Sequence, residues 1–390
     1  MSRHLAQPQR RPGSRPRRSR RRGPDRRAIL VVALLAALAA VLLLVLNTCG
    51  KQEAPPDIPD DPEPTPPPVV DEPEPQPEPE GDVNPLTGLY DGISESAIGR
   101  RPVALMVSNS YDSLPQWGIS QADIIYEMLA EGRITRLLAI FQDPSKIEAL
   151  ASIRSARPYF IDIAQSYGAV YMHFGGSVPA YDAIASRKDL LSADGIRGGW
   201  EGSLFIRDPE RRKQIGYEHS VYTDGEKIEE ALPKISDDLS LSGSPSAFCF
   251  GEQHSARGGT PASKITVTYS SRNQPWYEYD AASGQYLRFQ YGEAHMDAYQ
   301  DKQVSVKNLF VLRMATRDVP NNALGLVEVT TTGSGSGYYF CDGKMTEITW
   351  EKDAYNAPIL FFDKNGDELT VCPGQTFVSV VTETADVTIE

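Results

Sequence analysis

Cysteine is scarce: the chain of 390 residues has 4 Cys and 5 His. So few thiols exclude a disulfide-dense scaffold. Outside the first few residues the histidines stand at His173, His219, His254 and His295, without the spacing of a zinc site, so no metal and no cofactor are expected. A Walker loop and a dinucleotide fingerprint are missing. Ser155 and Ser177 lack the G-x-S-x-G context of a serine hydrolase. Long apolar stretches are also lacking, save one, which excludes a polytopic membrane protein.

Basic residues are few over most of the chain, and the net charge of −13 hides that division. Residues 1–49 hold 11 Arg and one Asp, or +10, so the other 341 carry 28 basic and 51 acidic residues, or −23. Like charge repels nucleic acid from that acidic part, so no nucleic-acid partner is expected. The basic tail covers 1–27. Ala28 to Leu46 is then apolar throughout and, at about 1.5 Å per residue, matches a bilayer core of about 30 Å. An arginine block on that side stays cytoplasmic, which puts the remainder on the extracytoplasmic face of a bacterial membrane.

The apolar stretch closes on Leu46-Asn47-Thr48-Cys49-Gly50. A Leu three residues before a Cys is similar to a lipoprotein signal, which makes Cys49 the candidate lipidation site. Thr48 stands where Gly, Ala or Ser is usual, and an uncleaved single-pass anchor over 28–49 is the alternative. Residues 50–83 form a Pro- and acid-rich linker, with 12 Pro and 11 acidic residues in 51–82. Such a segment buries no core and extends to about 100 Å in polyproline geometry.

Globular composition begins at Asn84. Arg101 to Val107 predicts a buried strand, Asp123–Glu131 and Thr135–Phe141 a hairpin, and 148–154 a further strand. Pro158 and Pro179 each open a helix around the strand 169–174, and Thr223-Asp224-Gly225-Glu226 opens another. This alternation predicts an α/β domain over 84–240. Beyond a Ser-rich stretch at 236–246, strands and turns predict a separate β-rich domain over 241–390, with turns at Ser283-Gly284, Asp342-Gly343 and Asn365-Gly366. Cys341 and Cys372 lie in neighbouring strand regions, where a disulfide is one option. Cys249, between two Phe, reads as a buried apolar residue.

Asn84-Pro85-Leu86-Thr87-Gly88-Leu89, Arg101-Pro102-Val103-Ala104, Ser120 to Glu127, Ile134-Thr135-Arg136 and Arg154 to Phe160 resemble the YerB-like lipoprotein family. Gly333 to Gly337, Asp342-Gly343-Lys344 and Pro373 to Thr376 resemble that family's second domain. The resemblance covers Asn84 to Val381 and implies architecture and location, not a reaction, because these are domains of unknown function. Glu218-His219-Ser220 departs from the family pattern, which has His-Asn there.

The candidate site follows from position. Arg154, Ser155 and Arg157 follow a strand and precede a helix N-terminus. His173, Gly175, Gly176 and Ser177 do the same. Guanidiniums and helix N-termini suit a phosphate or carboxylate. The structural alternative pairs the arginines with Glu127, Glu131 or Asp162 and makes His173 a core residue. His295-Met296-Asp297 reads as exposed surface, and Asp363 to Asp367 as a hairpin turn that only mimics a calcium loop. The expectation is an extracytoplasmic protein that binds an anionic cell-wall component or another cell-envelope protein without catalysis. A phosphoryl- or glycopolymer-transfer enzyme is the alternative, because the strand–arginine order is loosely similar to the LytR-CpsA-Psr transferases. A pure interaction scaffold is the third reading.

Overall fold

A computed structural model describes residues 81–90, 92–243, 246 and 248–390. The tail, the apolar stretch with Cys49 and nearly all of the linker lie outside them. No helix among the described residues is long and apolar enough to cross a membrane.

The unbroken apolar stretch after Pro102 forms β1, Val103–Ser108, buried at every position because both faces are covered. β2 (Ile124–Leu129) and β3 (Thr135–Phe141) make the expected hairpin, with Tyr126 opposite Leu138. Gly132 and Arg133 close it with φ of 63° and 65°. The strand expected over 148–154 shrinks to Leu150–Ala151, because the backbone of this stretch bonds in turn to Trp117, Val221 and Met106.

Pro158 begins α1, Pro158–Ser166. β4 (Val170–His173) follows, parallel to β1. Ser177 caps α2, Val178–Ser186, and β5 (Ser192–Asp194) lies parallel to β4. Asp208 and Asp224 cap α3 (Pro209–Ile215) and α4 (Gly225–Ile235), each side chain accepting from a backbone N–H three residues on.

The second half is strand and turn. β6 (Lys264–Val267), β7 (Trp276–Asp280) and β8 (Gln285–Gln290) pair antiparallel within one sheet. β9 (Asn308–Met314) is followed by the long hairpin of β10 (Gly333–Cys341) and β11 (Lys344–Lys352). That hairpin turns at Asp342 and Gly343, with φ of 51° and 68°, the left-handed pair its two-residue turn requires. The last long strand is β12, Thr376–Thr382.

The two halves do not hold separate cores, and here the expectation of two independent domains is corrected. β12 inserts between β9 and β2 and runs parallel to both, with Val378 opposite Phe310 on one side and Tyr126 on the other. The result is an eleven-stranded sheet whose order is Thr260–Pro261, β11, β10, β9, β12, β2, β3, β1, β4, β5, with Leu360–Asp363 beside β11. The physical reason lies in β2. All its residues are buried, so its edge away from β3 needs a partner, and only the second half supplies one. One apolar cluster runs from Leu86 to Val381, and the described residues belong to one compact unit. A fully buried ion pair also joins the halves, with Arg288 donating to Glu127 at 2.8 Å.

Two further expectations change. Cys249 is exposed, because its short strand, Cys249–Phe250, pairs only with Thr370–Val371. His295 and Asp297 are buried. His295 meets the Gln116 side chain, and Asp297 accepts from the N–H groups of Gly118 and Ser120 at 2.9 Å each.

Candidate functional site

The two strand-to-helix turns lie side by side. The Ala156 N–H donates to the Gly175 carbonyl at 2.9 Å, and the Phe174 N–H donates to the Arg154 carbonyl at 3.0 Å. The N-termini of α1 and α2 therefore emerge next to each other. Gly175 sits at a φ of +82°, a conformation that favours glycine. The Ser155 hydroxyl donates to the Phe174 carbonyl at 3.2 Å, and Ser177 spends its hydroxyl on capping α2.

His173 is fully buried and its Nδ1 meets the Gly175 carbonyl at 2.7 Å. A carbonyl only accepts, so Nδ1 carries the proton and Nε2 presents a bare lone pair, buried without a partner. Burial pushes this histidine below its usual pKa, against the opposing pull of Asp194, and keeps it neutral.

The guanidiniums are engaged by the chain's own carboxylates. Arg157 Nε donates to Glu131 at 3.0 Å, in line with the structural alternative, and its Nη1 donates to the Ala156 carbonyl at 2.6 Å. Arg154 takes a partner outside the three carboxylates weighed from the sequence: both of its terminal nitrogens donate to Glu218, one to the side chain and one to the carbonyl. Glu127 pairs with Arg288 instead, and Asp162 with Arg187. At the Gly175 turn, Asp194 accepts from the N–H groups of Gly175 at 2.8 Å and Ile196 at 2.9 Å, so a side chain stands where an anion was expected.

Arg136 is the member of this cluster that the sequence hides. It follows Thr135 at the start of β3, its Nη1 donates to the Ser155 carbonyl at 2.9 Å, and it shares Glu131 with Arg157. An arginine near the start of a buried strand was the available signal. Arg136 is 2% exposed and its Nε has no partner. Its pKa is pushed down to about 10, by burial first and then by the neighbouring Arg157, while Glu131 opposes. Glu131 itself is held below the usual carboxylate value: burial works against this, but Arg136 and Arg157 outweigh it. Three guanidiniums thus share two carboxylates.

Arg157 and Ser177 also line a cavity of about 120 Å³ with Pro158 and Pro179, closed by Leu326 and Val329 from the second half. A larger cleft of about 500 Å³ lies elsewhere, lined by Tyr111, Asp112, Tyr291 and His295, and includes none of the predicted residues. The dispersal of histidines in sequence also proves a poor guide. His254, Cys341, Asp342 and Cys372 offer ligand atoms within 4.8 Å of one another, a grouping that the spacing of the histidines in sequence does not reveal.

Residues 86–237 match the model for the N-terminal domain of a protein of unknown function, DUF3048, and residues 265–378 match its C-terminal domain. The chain is 30% identical over 302 residues to the Bacillus subtilis (strain 168) protein named "Putative lipoprotein YerB", spanning 76% of this chain and 85% of that one. The crystal structure of YerB from Bacillus subtilis superposes with a TM-score of 0.67 at 28% identity, over 78% of this chain and 99% of the crystallised chain. The paired sheet, its two family segments and this likeness agree: the chain belongs to the DUF3048 family, alongside YerB.

Proposed function

We propose that the protein is held on the extracytoplasmic face of the membrane by its N-terminal segment and binds an anionic component of the cell envelope at the arginine cluster. The name of its Bacillus relative and the order of basic tail, apolar stretch, Cys49 and extended linker support the location. One observation carries the binding: Arg136, Arg154 and Arg157 converge on two carboxylates, and one of these is largely exposed to solvent. Glu218 is 68% exposed, whereas Arg154 beside it is 15% exposed. A phosphate or carboxylate displaces Glu218 from Arg154 at little cost and supplies the charge that the cluster lacks. A transfer enzyme would need a deep pocket holding Arg154 and Arg157 together, whereas the cavity that Arg157 lines is about 120 Å³.

Calorimetric titration of the full-length protein in detergent with inorganic phosphate, pyrophosphate and a carboxylate-bearing cell-wall peptide tests the reading. Charge-assisted contacts are worth about 1.5–3 kcal/mol, so Arg154→Gln should weaken binding by about tenfold or more. Glu218→Gln, which removes the competing carboxylate, should strengthen it. Unchanged affinity in Arg154→Gln refutes the site.

A further inference from the structure

We infer that His254, Cys341, Asp342 and Cys372 form a binding site for one divalent cation of the zinc class. Three separate segments build it. Cys341 ends β10 and is fully buried, and Asp342 follows as the first residue of the hairpin turn. Cys372 comes two residues before Gly374 and is half-buried, its N–H donated to the Tyr339 hydroxyl at 2.9 Å. His254 arrives from the loop after Cys249–Phe250, is 4% exposed, and sets its Nε2 3.1 Å from an Asp342 carboxylate oxygen. All four ligand atoms fall within 4.8 Å of one another. Two sulfurs, an imidazole and a carboxylate in that span are the borderline-soft, four-coordinate donor set that zinc takes.

A disulfide between Cys341 and Cys372 would account for two of these side chains and leave the other two unexplained. The surroundings favour a cation over an S–S bond. Lys307 donates to the other oxygen of Asp342, which orients that carboxylate from behind. Two thiolates, one carboxylate and Lys307 sum to −2, which one divalent ion cancels. Binding therefore releases the two thiol protons, with no change in oxidation state. A cleft of about 360 Å³ lined by Glu252, His254, Asp342 and Lys344 gives access from solvent. Its rim carries Glu252 together with the basic Arg257 and Lys344.

The test is titration of the reduced full-length protein with Co²⁺, and then with Zn²⁺ in competition with a chromophoric chelator. One Co²⁺ per chain should bind with thiolate-to-cobalt absorption and the intense visible bands of a tetrahedral site, and Zn²⁺ should bleach both. Cys372→Ser should lose the thiolate band, and His254→Ala should weaken Zn²⁺ by at least about tenfold, the scale on which even outer-shell partners act. Cys249→Ser, a thiol outside the cluster, should change neither reading and guards against misassigned sulfur. Reduced wild-type protein that gives no thiolate–cobalt band overturns the site. So does a native chain whose peptide map shows Cys341 joined to Cys372.

Discussion

Glu127 shows how much a single side chain does in this fold. Its carboxylate accepts from Asn109 at 2.8 Å, Thr135 at 2.7 Å and Arg288 at 2.8 Å, all buried. Removing the cation leaves that charge unpaired in the core, which costs about 3–5 kcal/mol. Arg288→Met should lower the stability read from urea unfolding by that amount, and the further change Glu127→Leu should recover much of it. Histidines set the pH response. His173 and His295 are both held below the ordinary value by burial, so below about pH 6.5 the unfolded chain takes up protons that the folded chain refuses. Stability should therefore be level from pH 8 to 7 and fall as pH drops through about 6.5. A second fall should come near pH 4, where Glu131 and Asp194, both held low when folded, must protonate. A urea midpoint that stays flat from pH 7 to 5 contradicts the first part.

Elements defined by local chemistry were legible in the sequence. Pro158 opens a helix, Asp224 caps one, and Asp342-Gly343 turns a hairpin, each through contacts within a few residues. The side-by-side placement of Arg154–Arg157 and His173–Ser177 was legible only in part, because the two turns are joined by their own backbone bonds while the strand expected before Arg154 shrinks to Leu150–Ala151 in a different sheet from β4. Partners distant in sequence were not. Nothing about Ile124–Leu129 names Thr376–Thr382 as its neighbour, since period and composition specify a strand and not what it pairs with. The same blindness put Glu218 opposite Arg154 and drew His254 toward Cys341 across 87 positions. β12 also makes a sharp prediction. Val378 lies mid-strand with neighbours on both sides, so proline there removes a ladder N–H and cannot retreat to an edge. Val378→Pro should abolish the trypsin-resistant body beyond residue 84, and a variant as resistant as wild type would show that the central pairing is dispensable.

At the scale of the whole molecule, the join between β2 and β12 has a temporal side. A polypeptide emerges from a ribosome or a translocation pore N-terminus first. β2 ends at Leu129 and the strand that covers its open edge ends at Thr382, so 253 residues must emerge before that edge can close. Until then the apolar side chains and unpaired backbone of β2 stand available to any neighbouring strand or protease. Closure over such a separation is slow compared with local hairpins. The nascent chain is thus dependent on β12, and a premature stop anywhere before it yields a truncated product that is prone to aggregate and be degraded, however intact its first family segment.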